Sequence, residues 1–302
     1  MSPFSLSAML LAAGRGERMR PLTDTTPKPL LTVQGQALLD WHMAALQRDG
    51  VRHVVVNTAW LGGEIPPHLN AVWRARGMQL QYSHEQDDFG HALETAGGIA
   101  RALPLLGDAF WLAAGDVFAP DFVFDAALAQ AFAASDDLAH VWLVPNPAHN
   151  LQGDFGLAES APGSGTGRAL NLSPSDAARS GAPRWTYSTI ALLKAQLFGA
   201  PWCDIAPGNP EGVAAPLAAL LRKAMDAGRC GASLYTGRWT DVGTPERLAA
   251  WNAVVPVPGP HGGRIQKQEL HAFVKQAFLH EICWKAWWKK RSQLIFSGRR
   301  RG

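Results

Sequence analysis

Short apolar runs alternate with stretches of helical period along the first half of the chain, and this alternation constrains the fold more than any other feature. The predicted strands are residues 6–12, 51–57, 78–83, 109–114 and 139–145, and the predicted helices are residues 37–48, 63–75, 95–106 and 121–134. Such β-α-β-α alternation is typical of an α/β protein with a mainly parallel sheet and helices on both faces. Ligands of these sheets bind beyond the carboxyl ends of the strands, so the residues that follow 6–12, 51–57 and 109–114 are the first candidates for a functional site.

The second half of the chain is less regular. Glycine, serine, proline and asparagine are frequent from residue 146 to 184, which predicts a long irregular excursion over the edge of the sheet. Regular signals return in a predicted strand at 185–193, a helix at 215–227 and a strand at 232–236. Thr244 and Pro245 then fit the N-cap and the first position of a final helix.

Charge divides the chain into two parts. Residues 261–302 carry ten Lys and Arg against two Glu, whereas residues 1–260 have a net charge of −5 and contain only three lysines. We therefore predict a folded body at 1–255 and a basic, tryptophan-rich extension at 256–302. A helix that binds a membrane surface or nucleic acid is conceivable there. The abrupt change in composition favours an appended segment without a selected function, and we expect no nucleic-acid partner.

The three cysteines (Cys203, Cys230 and Cys283) lie far apart and match no zinc-ligand spacing. Buried free thiols in a reducing compartment are therefore expected. Residues 1–13 are apolar but have no basic segment before them, so they do not fit a signal peptide. No uncharged apolar run approaches the roughly 18 residues that a membrane span needs. These features predict a cytoplasmic protein without a membrane span.

The densest motif begins at the end of the first predicted strand. It reads Leu-Ala-Ala-Gly-Arg-Gly-Glu-Arg-Met-Arg-Pro-Leu-Thr at 11–23, and Pro-Lys-Pro-Leu follows at 27–30. Gly14 and Gly16 would let backbone N–H groups approach a phosphate without an intervening Cβ. No Gly-Lys-Ser/Thr follows, and Met19 stands where a dinucleotide fingerprint has its third glycine. A tight surface turn is the plain alternative.

Basic residues strengthen the phosphate interpretation. Arg15, Arg18, Arg20 and Lys28 place four cations within one short segment of an acidic body, and Lys28 stands between two prolines that restrict its backbone. A solvated basic loop remains an alternative. A triphosphate site accounts for more of these features.

Two aspartates follow apolar strands at positions where ligands are expected. Asp116 ends the segment Trp-Leu-Ala-Ala-Gly-Asp, and Asp241 lies between a predicted strand and the final helix. Each alone could be a turn or cap residue, but together they suit Mg²⁺, which takes one or two protein carboxylates together with phosphate oxygens and water. No serine, cysteine or histidine arrangement for nucleophilic catalysis stands out. This suits transfer to a phosphate nucleophile, which is largely ionised at neutral pH and needs no general base.

The motifs at 11–23 and 27–30, together with Leu93–Gly98, Gly115-Asp116 and Trp239–Leu248, resemble those of the sugar-1-phosphate nucleotidylyltransferases. Within that family the chain is most similar to the bacterial N-acetylmuramate-1-phosphate uridylyltransferases of cell-wall recycling. The resemblance covers about residues 6 to 253 and implies a Rossmann-like fold, a Mg²⁺ cofactor, and NTP and sugar 1-phosphate as substrates. One departure concerns Thr189, because family members usually have glycine after the preceding serine.

The resemblance also implies roles for individual residues. The nucleotide would be lined by Ala12, Ala13, Gly14 and Gly16, with Glu85, Glu94 and Gly97 near the base. The leaving phosphates would bind Arg18, and Lys28 would bridge the nucleotide and sugar phosphates. The metal would be held by Asp116 and Asp241, and the sugar would face Gly153, Asp154 and Gly156.

Two alternatives remain at this stage. The chain could be a guanylyl- or thymidylyltransferase that acts on mannose or glucose 1-phosphate, because a carboxylate near the base could accept a hydrogen bond from guanine N1–H as well as from uracil N3–H. It could also be a catalytically silent homologue that binds nucleotide sugars. A monomer and a homodimer are equally compatible with the sequence.

Overall fold

The computed structural model describes residues 6–253, so the basic extension, Cys283 and the predicted boundary at 255 lie outside the described residues. The strands are β1 Ser7–Ala12, β2 Thr32–Val33, β3 Gln36–Ala37, β4 His53–Thr58, β5 Gln79–His84, β6 Ala109–Ala114, β7 Val117–Phe118, β8 Ala139–Val144, β9 Phe155–Glu159, β10 Thr166–Leu170, β11 Arg184–Lys194, β12 Cys230–Leu234 and β13 Thr240–Asp241. The helices are α1 Leu38–Arg48, α2 Ile65–Leu69, α3 Glu85–Phe89, α4 Glu94–Ala102, α5 Ala126–Ala134, α6 Pro174–Ser180, α7 Leu217–Asp226 and α8 Pro245–Ala253. None of these helices is long and apolar enough to cross a membrane.

One nine-stranded sheet organises the described residues, in the order β5-β4-β1-β6-β11-β8-β12-β10-β9. Strands β5, β4, β1 and β6 pair in parallel, and so do β8 and β12. Strand β11 runs antiparallel between β6 and β8, and β10 also runs against the common direction. Strand β9 pairs with both β10 and the start of β11, so this half of the sheet closes on itself. The predicted α/β class is confirmed.

The sheet is buried on both faces, as its apolar strands require. Within β1, Leu10 packs into one core cluster with Met43 of α1, whereas Met9 packs into a second cluster with Ile99 of α4 and Leu221 of α7. Adjacent strand residues point to opposite faces, so a strand buried on both sides reads as a continuous apolar run. The helices on the two faces are what cover these runs.

Three elements differ from the sequence prediction. The helix predicted at 121–134 begins only at Ala126, where Asp125 caps it by accepting hydrogen bonds from Ala127 N at 2.7 Å and Leu128 N at 3.0 Å. Phe122 and Phe124, which looked helical, instead pack their rings edge-on against Trp111. The helix predicted at 63–75 is the short helix α2, which continues into a π-helical segment, Asn70–Arg74.

The third difference is the segment 146–184, which is not an irregular excursion. It contains β9, β10 and α6, which add ordered structure at one edge of the sheet. Strand β10 is largely exposed. The sequence of this exposed strand therefore lacks the apolar pattern that marks the central strands.

Candidate active site

The carboxyl ends of β4, β1 and β6 lie side by side in the sheet, as the sequence predicts for a ligand site. A cavity of about 350 Å³ opens there. Its lining comes from the ends of these strands and the loops that follow: Leu11, Ala12, Ala13, Gly14, Gly16, Lys28, Pro29, Asn57, Ala92, Glu94, Thr95, Ala114 and Asp116. Seven of the predicted site residues therefore meet around one cavity: Ala12, Ala13, Gly14, Gly16, Lys28, Glu94 and Asp116.

The glycine-rich loop after β1 is folded tightly at one glycine. Gly16 has φ +67°, and a Cβ there would lie 3.1 Å from side-chain atoms of Lys28 and Thr23. Gly14 faces open space. A side chain at Gly16 would be strained by its conformation and crowded by Lys28. The loop can therefore bring its backbone close to a bound anion.

Two contacts fasten this loop to the segment after β4. Trp60 Nε1 donates a hydrogen bond to Thr23 O at 2.9 Å, and Thr23 Oγ1 in turn donates to Gly16 O at 2.9 Å. The guanidinium of Arg15 stacks over the Trp60 ring at 3.7 Å. A cation held over an aromatic face in this way is attracted by the ring. Trp60 thus holds both ends of the loop.

Lys28 is 8 % exposed and forms an ion pair with Asp116 Oδ2. A lysine is rarely buried unless its charge is paired, so Asp116 explains how Lys28 can sit at the cavity wall. Arg18 is different. It lies exposed in the 3₁₀ turn Glu17–Met19 and does not line the cavity, so its predicted role at the leaving phosphates stays a prediction.

Asp241 does not line the cavity, but a two-residue ladder joins its strand to the segment of Asp116. Strands β13 and β7 pair antiparallel with Asp241 opposite Val117, and Val242 N donates to Asp116 O at 2.9 Å. The ladder brings the backbones of both predicted metal ligands together across 125 positions of sequence. The carboxylate of Asp241 contacts two basic side chains through Oδ1: Arg247 Nη1 at 2.5 Å and His149 Nε2 at 2.8 Å.

The donor set fits a hard divalent cation. Lys28 occupies Oδ2 of Asp116, whereas Arg247 and His149 occupy Oδ1 of Asp241. In each carboxylate the other oxygen makes no hydrogen bond within residues 6–253. That part of the chain also contains no group of three or more His, Cys, Asp or Glu arranged to hold a metal. Mg²⁺ seldom uses such all-protein cages and is bound by one or two carboxylates together with substrate phosphates.

Glu85 does not face the cavity. It is fully buried, and its two oxygens accept hydrogen bonds from Asn57 Nδ2 at 2.6 Å and Leu93 N at 2.8 Å. Burial raises the pKa of its carboxyl group above the ordinary value. Asn57 also accepts a hydrogen bond from Ala12 N at 2.8 Å. In this geometry Glu85 supports the cavity wall through Asn57, and its predicted place near the base stays a prediction.

Gly97 is also buried away from the cavity. A Cβ there would overlap Val213 O, and Gly97 N donates to Ala215 O at 3.2 Å. Its glycine is therefore required by packing against this segment. Glu94, in contrast, is exposed at the cavity and has φ +55°. A non-glycine residue in this left-handed region is uncommon and is often held there by a functional constraint.

The three predicted sugar-side residues lie outside the cavity lining. Gly153 has φ +59°, and Asp154 accepts hydrogen bonds from Tyr187 N at 2.8 Å and Asn150 Nδ2 at 3.2 Å. Gly156 belongs to β9 and pairs with β10 and β11. Their contact with a sugar stays a prediction. The nearby bulge of β11 holds Thr189 at φ +62°, a strained conformation for a β-branched residue.

Several residues of this region were missed by sequence reasoning. Asn57 ends a predicted strand at the predicted ligand edge, so its position was a usable signal. Trp60, His149 and Arg247 lie in loops or at a helix start, and only the fold brings them to the site. A second cavity of about 990 Å³ lies at the amino ends of β1, β4, β5 and β6. Ligands of α/β sheets bind at the opposite ends, so we assign the functional site to the smaller cavity.

A glycine-rich loop, a buried lysine and two aspartates whose backbones are joined by one ladder are typical of a nucleotide-binding enzyme of the phosphoryl-transfer class. The sequence model of the Nucleotidyl transferase family matches residues 7–255, and the chain belongs to that family. The enzyme is therefore a nucleotidyltransferase. Members of this family generally use a divalent metal ion.

Two relatives with similar sequences and one similar structure are informative. The chain is 42 % identical over 245 residues to the N-acetylmuramate alpha-1-phosphate uridylyltransferase of Neisseria meningitidis serogroup B, covering 80 % of this chain and 95 % of the relative. It is 39 % identical over 142 residues to the enzyme of the same name from Caulobacter vibrioides, covering 47 % and 55 %. A crystal structure described as a glucose-1-phosphate thymidylyltransferase from Bacillus anthracis superposes with a TM-score of 0.63 at 18 % identity, covering 87 % of this chain and 98 % of the other. That structure supports the fold alone.

Proposed function

We propose that the protein transfers the uridylyl group of UTP to N-acetylmuramic acid 1-phosphate, giving UDP-N-acetylmuramic acid and pyrophosphate, with Mg²⁺ as cofactor. The observation that carries this proposal is the cavity in which Gly14, Gly16, Lys28 and Asp116 meet. The choice of UTP and of this sugar rests on the similarity to the Neisseria uridylyltransferase over nearly its whole length. The expected biological role is the recycling of cell-wall sugars in the cytoplasm.

The reaction needs positioned charge more than proton transfer. An oxygen of the sugar phosphate attacks the α-phosphorus of UTP, the bond between the α-phosphorus and its bridging oxygen breaks, and pyrophosphate leaves with the electron pair. The nucleophile is already ionised at neutral pH, so no side chain has to remove a proton. The chain's task is to hold two anions together and to neutralise the charge that builds up between them.

The loop after β1 would bind the triphosphate through its backbone N–H groups at Gly14 and Gly16. Lys28 lies at the junction between this loop and Asp116, where its ammonium would contact the α-phosphate and the incoming sugar phosphate. A phosphate there would compete with Asp116 for the ammonium. Asp116 would then be available to the metal.

The metal would be held by Asp116 and Asp241, each of which has one oxygen without a hydrogen bond in the described part of the chain. Bound Mg²⁺ would neutralise phosphate charge and fix the orientation of the triphosphate. The side chain of Arg18 is exposed, and it would have to turn toward the cavity to bind the leaving pyrophosphate.

Glu94 is the better candidate for base recognition. Its side chain is exposed at the cavity, whereas the oxygens of Glu85 are occupied by Asn57 and Leu93. A carboxylate at this position would accept the N3–H of uracil, and cytosine has no such donor. Guanine would also satisfy it, so mannose-1-phosphate guanylyl transfer remains the alternative. Two further alternatives are glucose-1-phosphate thymidylyl transfer and a catalytically silent protein that binds nucleotide sugars.

The test is pyrophosphate release from four NTPs against a panel of sugar 1-phosphates that includes N-acetylmuramic acid, N-acetylglucosamine, glucose and mannose. We expect the highest kcat/KM for UTP with N-acetylmuramic acid 1-phosphate. A preference for GTP with mannose 1-phosphate, or for dTTP with glucose 1-phosphate, would replace this proposal by an alternative. Binding without any pyrophosphate release would support the silent homologue.

A further inference from the structure

A cluster of one acidic and two basic side chains stands beside the predicted metal site. Arg247 Nη1 lies 2.5 Å from Asp241 Oδ1 and 2.9 Å from His149 Nε2, and His149 Nε2 lies 2.8 Å from the same Asp241 oxygen. The three side chains are partly exposed, between 20 % and 39 %. Each of them is therefore open to solvent over part of its surface.

The guanidinium of Arg247 uses only one of its nitrogens in these contacts. Its Nε and Nη2 make no hydrogen bond within residues 6–253, although the group is held in place through Nη1. These two nitrogens form the side edge of the guanidinium fork, which binds a carboxylate through two parallel hydrogen bonds. Gly243 makes room for this edge, because a Cβ at Gly243 would overlap Arg247 Nη2.

The cluster connects the predicted metal ligand Asp241 with the loop that leads to the predicted sugar-side residues. Arg247 belongs to the first turn of α8, and Asp241 is joined to the Asp116 segment by the β7–β13 ladder. His149 belongs to the loop between β8 and β9, which ends in the predicted sugar-side residues Gly153 and Asp154. Two basic groups from separate elements thus meet at one point.

N-acetylmuramic acid differs from N-acetylglucosamine by a lactyl ether that carries a carboxylate. A cation beside the sugar subsite would favour the acidic sugar, because N-acetylglucosamine 1-phosphate has no carboxylate with which the cation could pair. The neutral sugars of the alternative functions would leave the open edge of Arg247 without an anionic partner.

We propose that Arg247, held in place by Asp241 and assisted by His149, binds the carboxylate of the sugar substrate and thereby selects N-acetylmuramic acid 1-phosphate over N-acetylglucosamine 1-phosphate. This inference rests on the proposed function. The specificity for the acidic sugar would then come from the contact between Arg247 and the carboxylate.

The test compares kcat/KM for the two sugar 1-phosphates at saturating UTP and Mg²⁺ in the wild-type chain, Arg247→Gln, Arg247→Lys and His149→Gln. We expect Arg247→Gln to lower the ratio of acidic to neutral sugar by about ten- to a hundredfold, the scale of one lost charged hydrogen-bonded pair. Arg247→Lys should recover part of the ratio, because an ammonium keeps the charge but lacks the fork. His149→Gln should lower the ratio by a smaller factor.

The matched control is Arg76→Gln. Arg76 is exposed over the Trp73 ring at the amino end of β5, far from the cavity lining, and its loss changes the net charge equally. Its ratio should equal that of the wild type. If a variant is too slow for kinetics, calorimetric affinities for UDP-N-acetylmuramic acid and UDP-N-acetylglucosamine give the same ratio without turnover.

The outcomes distinguish a failure of the proposed function from a failure of the role assigned to Arg247. If the wild-type chain does not use N-acetylmuramic acid 1-phosphate, the proposed function fails. If the wild type uses it but Arg247→Gln slows both sugars by the same factor, Arg247 only orients Asp241, and the present inference is overturned while the proposed function stands.

Discussion

Lys28 and Asp116 illustrate how single residues set up this site. The lysine is one of three in the first 260 residues, and it is buried at the cavity wall between two prolines. A solubilising charge would need neither the burial nor the restricted backbone. The ion pair with Asp116 holds the ammonium where the substrate phosphates are expected.

Replacing Lys28 by alanine should lower kcat by about two to three orders of magnitude, the scale observed for removing one preorganised donor. The ammonium should matter more as charge builds on the α-phosphate than in the ground state. Lys28→Arg should recover only part of the loss. Steady-state kinetics at saturating Mg²⁺ measure this, with Lys223→Ala as the control, because Lys223 binds Trp202 O far from the cavity. A change in KM alone would make Lys28 a binding residue without a catalytic role.

The metal assignment gives a second prediction at this scale. Asp116→Asn or Asp241→Asn should lower kcat at least about a hundredfold, or roughly 2.7 kcal/mol of transition-state stabilisation. Asp116→Asn should also lower the melting temperature, because it leaves the buried ammonium of Lys28 without its counter-charge. Asp226→Asn, which alters a side chain that contacts Asn171, is the matched control. Near-normal activity of both site variants at low Mg²⁺ would contradict the assignment.

Among the structural elements, the loop after β1 depends on a neighbour that the sequence does not reveal. Trp60→Ala removes the hydrogen bond to Thr23 and the stack with Arg15, and should raise KM for the NTP about tenfold or more. Trp60→Phe keeps an aromatic face for Arg15 and should give a smaller increase. Titration of initial rates against NTP concentration measures both effects.

Trp202→Ala is the control for the loop, since Trp202 also has an arginine over its ring, Arg229 at 5.6 Å, but lies outside the cavity lining. This variant should lower stability without changing KM for the NTP. An equal KM in Trp60→Ala and the wild-type chain would show that the loop keeps its shape without Trp60.

The central strands and their helices could be predicted because their apolar runs are buried on both faces. Residues 146–184 could not, because β9 and β10 are short and about half or more of their side chains are exposed, so they lack a continuous apolar run. The cavity residues at strand ends, such as Asp116 and Asn57, were accessible from sequence position. Arg247 and His149 were not, since their meeting at Asp241 depends on the β7–β13 ladder and on the path of a long loop.

At the scale of the whole molecule, residues 256–302 lie beyond the family match, which ends at residue 255. Truncation after Val255 should leave kcat/KM and the midpoint of thermal unfolding nearly unchanged. Calorimetry and the pyrophosphate assay on both chain lengths measure this, and light scattering reports the oligomeric state. Aggregation or a changed oligomeric state of the short chain would show that the extension packs against the body.

The β7–β13 ladder also has a consequence for folding during synthesis on the ribosome. Asp241 and Arg247 are synthesised long after the loop that is proposed to contact phosphates. A ribosome-bound chain that has emerged to about residue 235 already contains every strand of the large sheet, yet lacks one of the two carboxylates proposed for the metal. Nucleotide binding and chemical competence should therefore arise at different moments of synthesis. Proteolytic removal of the residues after β12 should uncouple them in the same way.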